Sequence, residues 1–125
     1  MLKKNNQKGF TIIELLVVIV IIGILIALAL PNLFSAQARG RDSERKNELK
    51  NLKTRLETHY SDNNSYPDAL SDLDPAPSTD ETTGPKGDAY TYTSDGDSYT
   101  LTATLENSKD PESNNGTYTI NSVNQ

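Results

Sequence analysis

The alternation of apolar and polar residues changes period three times along the chain. Leu15 to Leu30 are sixteen consecutive apolar residues, Gly23 included, and Phe10 to Ile13 extend the run with Thr11 and Glu14 as its only interruptions. As a helix this stretch covers roughly 30 Å, the thickness of a hydrocarbon core. It is apolar on every side and offers no stripe to a soluble core, so it predicts a membrane segment. Pro31 closes the run and is expected to bend or stop the helix. Past Gly40 the chain is rich in Glu, Lys, Arg and Leu, all good helix formers. Leu49, Leu52, Leu56 and Tyr60 recur at three- and four-residue steps and mark one amphipathic face. Arg41 to Glu48 is polar nearly throughout and reads as a solvated section. If the helix resumes after Pro31, Phe10 to Tyr60 would extend roughly 75 Å.

The helical period ends at "SDNNSYPDAL", a turn-rich loop, and Pro75 to Lys86 is a second connector rich in Pro, Thr and Gly. Period-two alternation then takes over in "AYTYTSDGDSYTLTATLE". A two-residue turn centred on Asp95-Gly96 would pair Tyr92 with Tyr99 and Tyr90 with Leu101. "GTYTINSV" offers a third strand with Tyr118, Ile120 and Val123 as its apolar positions. A three-stranded antiparallel sheet laid over Leu49, Leu52 and Leu56 would bury both apolar faces. The expected fold is therefore α+β, a long N-terminal helix followed by a small β-sheet head. The expected segments are 1–9 as a basic leader, 10–31 as the apolar helix, 32–60 as the amphipathic helix and 61–125 as the head.

Charge divides the chain in the same places. Lys3, Lys4 and Lys8 make the start basic, Arg39 to Tyr60 holds seven basic and four acidic residues, and Ser61 onward holds two lysines against twelve acids. Such a head is a poor partner for nucleic acid. There is no cysteine, which excludes disulfides, thiolate nucleophiles and zinc-thiolate sites. The single histidine, His59, is expected to pack at a helix end, and no nucleophile motif surrounds any serine. The residues call for no cofactor and no enzymatic role.

Glu14 is the residue that the apolar run does not explain. On insertion scales a carboxylate at the bilayer centre costs roughly 2.5–3.5 kcal/mol, less near an edge. A plain membrane anchor would be served better by leucine. So would a secretory signal cleaved at Ala36-Gln37-Ala38, whose apolar run is also longer than such signals use. Charge alone leaves the orientation undecided, because Arg39, Arg41, Arg45 and Lys46 follow the span as Lys3, Lys4 and Lys8 precede it.

A third reading accounts for the charge. Lys8-Gly9, Phe10, Thr11, Glu14, the run to Leu30 and Pro31 resemble the class III signal of type IV pilins and of the pseudopilins of type II secretion systems. The hairpin and the "YSDNNSYP" loop look most like the pseudopilin G and Gram-positive pilin branch. The resemblance implies cleavage after Gly9 by a prepilin peptidase, N-methylation of Phe10 by the same enzyme class, and insertion in the cytoplasmic membrane with the head outside. It further implies a homo-oligomeric helical filament, at the cell surface or as a pseudopilus, built by an assembly platform protein and an ATPase. Within the filament Glu14 would face the terminal amine of a neighbouring subunit, since two buried opposite charges offset what one alone cannot. Gly23 is a candidate for close helix approach, and Pro31 for a bend or local melting. The alternatives are the major pseudopilin of a type II secretion system and, in a different class, a plain membrane-anchored or secreted β-rich protein.

The resemblance also raises calcium, which pseudopilin G proteins bind in a loop near the chain end. Asp110 and Glu112 lie in the comparable region, but "SKDPESNNGTY" lacks the usual aspartate-glycine loop, so solvated loop acids are the expectation. The basic helix block is expected to pair with acidic heads of neighbouring subunits rather than with DNA. Asn63-Asn64-Ser65 and Asn115-Gly116-Thr117 match the glycosylation tripeptide, a pattern frequent by chance.

Overall fold

The computed structural model of the chain describes residues 1 and 8–123; Lys3 and Lys4, and with them most of the expected 1–9 leader, lie outside the described residues. Helix α1 spans Ile12–Asn63, followed by a 3-10 turn at Leu70–Asp72 and a short helix α2 at Thr79–Thr82. Strands β1 (Thr91–Ser94), β2 (Tyr99–Thr104) and β3 (Thr117–Asn121) form one antiparallel sheet in the order β1-β2-β3. The chain divides into two compact units, Met1–Ala36 and Gln37–Gln125.

In the first unit every apolar side chain of Ile12 to Leu30 that is large enough to pack is exposed. This part of α1 has a mean hydropathy of 3.3 over its most apolar window, and by length and composition it can cross a membrane. Pro31 lies inside α1 and does not end it. Its carbonyl accepts a hydrogen bond from the Ser35 hydroxyl at 3.1 Å. Around Gly23 a side chain would meet nothing within 4 Å.

The second unit is built on the amphipathic stripe. Leu49, Leu52 and Leu56 are buried against Tyr99, Leu101, Ala103, Leu105, Tyr118 and Ile120 from the sheet side. Each such leucine contributes about 1.5–3 kcal/mol. The stripe begins earlier than the leucines: Asp42 and Arg45 are 1% and 2% exposed. The expected solvated section is therefore corrected, because residues 42, 45, 49, 52 and 56 continue one face at steps of three and four. At its other end α1 runs three residues past Tyr60, to Asn63.

The hairpin differs from expectation by two positions. Ser94 faces Tyr99, Thr93 faces Thr100 and Tyr92 faces Leu101, so the turn is centred on Gly96-Asp97. Two observations explain the choice. Gly96 has φ +88°, which suits the first central position of a type II′ turn. The Asp95 carboxylate accepts N–H bonds from Asp97 and Ser98 at 3.1 and 2.7 Å, closing the loop from its first residue. A two-residue shift keeps every side chain on its own face, so the core is the expected one. In β3, Tyr118 and Ile120 face inward as expected, but the next inward residue is Ser122, and Val123 is exposed.

Candidate functional site

Two constellations stand out, one in each unit. The first sits at the start of α1. The Thr11 N–H and hydroxyl both donate to Glu14 Oε2, at 2.8 and 2.9 Å, and the Glu14 N–H donates to Thr11 Oγ1 at 3.2 Å. This is a reciprocal capping box, with Thr11 as the residue before the first turn and Glu14 three positions on. It satisfies helix donors that have no partner within the helix and places a carboxylate at the positive end of the helix dipole. Sequence reasoning weighed Glu14 as an assembly charge and missed this local role, although T-x-x-E was legible. Both bonds to the carboxylate end on Oε2, and among the described residues Oε1 accepts none. Lys8, Gly9 and Phe10 precede the helix without regular structure, and Phe10 is exposed.

The second constellation holds the head together where α1 enters it. Arg45 is the hub. Its Nε and Nη2 bond the two oxygens of Asp88 at 3.0 Å each, and Nη1 reaches Asp42 at 3.0 Å and Glu106 at 3.1 Å. Asp42 also accepts the backbone N–H groups of Glu106 and Asn107, at 2.8 Å each. One helical turn thereby binds both the connector before β1 and the one after β2. Glu106 is shared further, with Arg41 at 2.7 Å and Lys86 at 2.9 Å.

These contacts set the protonation states. Arg45 is held well above its ordinary value, first by Asp88 and also by Glu106, against the opposing cost of burial. Asp88 is held below the usual carboxylate range by Arg45, and Glu106 far below it by Arg41, Lys86 and Arg45. Buried polar groups of this kind persist only when paired. Gly84 is part of the arrangement: a Cβ there would stand 2.7 Å from Asp88 Oδ2 and 2.9 Å from Arg45 Nε.

Asp110 and Glu112, the candidate calcium pair, both bind a side chain instead. Lys46 Nζ lies 2.8 Å from each oxygen of Asp110 and 2.7 Å from Glu112 Oε2, and 5.8 Å from the centre of the Tyr118 ring. Asp110, and after it Glu112, raises the pKa of the Lys46 ammonium, which in turn lowers both carboxylates. Among the described residues no group of three or more acidic or histidine side chains is placed to hold a metal ion.

Two further helix acids, Glu48 and Glu57, meet the tyrosines of the head. Glu57 accepts the hydroxyls of Tyr66 and Tyr99 at 3.0 and 3.1 Å, and Glu48 accepts that of Tyr90. Burial, aided by Glu57, pushes the Tyr66 hydroxyl up to about 12. His59 Nδ1 lies 3.0 Å from the Ser65 carbonyl oxygen, a packing role at the helix end. The basic helix block is thus largely used within its own head. Arg41, Arg45, Lys46 and Arg55 have intrachain partners, whereas Arg39, Lys50 and Lys53 form no salt bridge among the described residues.

Comparison with known proteins covers nearly the whole chain. Residues 4–30 match the prokaryotic N-terminal methylation motif, and residues 31–121 match the family described as type IV minor pilin ComP, DNA uptake sequence receptor. The chain is 40% identical over 87 residues to the type IV major pilin protein PilA of Myxococcus xanthus, covering 70% of this chain and 36% of that protein. It is 37% identical over 73 residues to type II secretion system core protein G of Aeromonas hydrophila, covering 58% and 51%. With the type IV wide pilus major component PilA4 of Thermus thermophilus it shares 48% over 62 residues, covering 50% and 47%. The chain therefore spans about a third to a half of the length of these curated relatives. No solved structure gives a significant match.

Proposed function

The chain belongs to the type IV pilin and pseudopilin family, and from that premise we propose that it is a prepilin whose work is structural. It is inserted in the cytoplasmic membrane with its head outside, cut after Gly9, methylated on the new amine of Phe10 and polymerised through α1. The observation that carries this reading is the first unit itself. It is a helix apolar on all sides, exposed along its whole length, with one carboxylate in its first turn. A soluble monomer cannot keep that surface in water. A membrane, and then a bundle of like helices, can cover it.

Within such a bundle Glu14 has a defined task. Its Oε2 is occupied by Thr11 and its Oε1 is open to the cationic amine of a neighbour's Phe10. A helix set one register off would leave both charges unpaired among leucines and isoleucines, so the pair selects the register. Pro31 lacks the N–H that would bond the residue-27 carbonyl, and the helix is weakest there when subunits adjust to one another. Assembly then needs the peptidase, the platform protein and the ATPase, and the chain itself has no catalytic role.

A pseudopilus is the second reading, favoured by the several relatives named type II secretion system core protein G. DNA uptake, named in the description of the matched family, is not a role we assign to this subunit. Leaving out Lys3, Lys4, Lys8 and Glu14, the chain carries nine basic against sixteen acidic residues, a balance that repels phosphates. A mobility-shift assay at low salt tests that assignment directly.

The deciding experiment is the intact mass of the chain from membranes and from sheared surface material. A species starting at Phe10 with one added methyl is the expected result. A start at Arg39 would mark an ordinary secreted protein, and Met1 in every fraction a simple anchor. Imaging cells with and without the gene separates pilus from pseudopilus, since surface fibres that persist without this chain assign it to the latter or to a minor subunit.

A further inference from the structure

Within the head, α1 has two flanks of opposite charge. On one, Lys46 reaches Asp110 and Glu112 in the loop after β2 and lies over the ring of Tyr118 on β3. Lys50 and Lys53 follow Lys46 at steps of four and three, and Arg39 precedes it by two turns, so all four share that side of the helix. Lys50 is exposed and Lys53 half-buried. Among the described residues neither forms a salt bridge. On the other flank Arg55 turns to Glu81 of α2 and to the Pro75 carbonyl. Beside it, the C-terminal end of α1 and the 3-10 turn with the residues after it border a cleft of about 540 Å³. Asp62, Asp72 and Asp74 line this cleft, and among the described residues they too form no salt bridge. Leu73 and Pro75 give it an apolar wall.

We propose that this cleft receives Lys50 and Lys53 of a second copy of the chain, one head docking flank to flank on the next. The contact rests on the filament reading and sharpens it by naming where two heads meet. Charge selects the occupant, since two ammonium groups face three carboxylates. Chemistry agrees, because a lysine is an ammonium on a flexible aliphatic stem. Leu73 and Pro75 suit the stem and the aspartates suit its tip. No chain can fill its own cleft. Lys53 and Arg55 are two residues apart and stand about 200° from each other around the helix, so the lysines lie on the side away from the aspartates. Each copy therefore offers its lysines to one neighbour and its cleft to another. Such a heterologous contact repeats from subunit to subunit instead of closing into a two-fold pair, which is the geometry of a ring or a helical filament. Exposed ion pairs contribute little each. The contact orients the heads, and the apolar helices supply the cohesion.

The chain has no cysteine, so an introduced pair reports the contact cleanly. The full-length chain carrying both Lys53→Cys and Asp72→Cys is expressed in cells and oxidised. A ladder of dimers, trimers and larger species is expected, with each single variant remaining monomeric. Charge inversion supplies a second readout. Lys50→Glu with Lys53→Glu sets like charges against the cleft and should cut fibre yield about tenfold. Adding Asp72→Lys and Asp74→Lys inverts both flanks and should restore the yield, an outcome that a merely structural role of these residues does not produce. Near-UV circular dichroism of the tyrosines checks the fold of each variant, and the cross-link remains the test if a charge variant loses that signal. A double-cysteine variant that stays monomeric, or folded chains with inverted flanks that give no more fibres than the lysine-to-glutamate variant, overturns the proposal. If the species starting at Phe10 is found in fibres that give no ladder, the filament reading stands and this contact falls. If that species is absent, the filament reading falls and the contact falls with it.

Discussion

Replacing Arg45 with methionine keeps the bulk of the side chain and removes its charge. What remains decides the cost. Asp42, 1% exposed, loses the one salt-bridge partner it has among the described residues but keeps the N–H groups of Glu106 and Asn107. Asp88 and Glu106 have side chains 36% and 21% exposed and can turn to water. Removing one partner of a buried pair costs about 3–5 kcal/mol, and the two remaining donors on Asp42 place this case near the lower end, about 3 kcal/mol. For a unit of this size that corresponds to a fall in Tm of about 12–24 °C. The assay is thermal melting followed by near-UV circular dichroism, which reads the head alone because Tyr60, Tyr66, Tyr90, Tyr92, Tyr99 and Tyr118 all lie within it. Arg41→Met is the comparison, since that guanidinium is 29% exposed and its partner Glu106 keeps Arg45 and Lys86. A fall no larger than that of Arg41→Met would refute the argument that burial makes Arg45 costly to remove.

Further outcomes follow from the same geometry. Gly84→Ala should lower Tm by pushing a Cβ into the Arg45–Asp88 pair, and should add little to Arg45→Met; full additivity of the two would show that the glycine acts elsewhere. Acid should weaken the head. Asp88, Glu106, Asp110 and Glu112 have lowered pKa values when folded, so the unfolded chain takes up protons first, near pH 4. The stability these groups contribute is present above that pH and lost progressively below it; a Tm independent of pH there counts against the ion pairs. Glu14→Ala should leave processing intact but reduce filament yield, whereas Gly9→Leu should block processing, seen as a shift in gel mobility. Wild-type filaments from Glu14→Ala would remove the register argument.

Some features were readable from the chain because they depend on local repetition. The apolar run, the amphipathic stripe through Leu49, Leu52 and Leu56, and the alternating strands each state their own element, and the structure has all three. The T-x-x-E box at Thr11 and Glu14 was equally local and could have been read. What the tertiary structure decided depends on partners distant in sequence. Asp42 and Arg45 look like solvent-facing charges until Asp88 and Glu106, 43 and 61 residues beyond Arg45, arrive beside them. Lys46 likewise meets Asp110 64 residues on, turning two loop acids into an ion-pair site. The hairpin register fell between these cases: the pattern chose the face, while the backbone geometry of Gly96 and the Asp95 carboxylate chose the pairing. The reason is physical. Periodicity is imposed residue by residue on any helix or strand, but burying a charge is favourable only where the whole fold supplies its counter-charge.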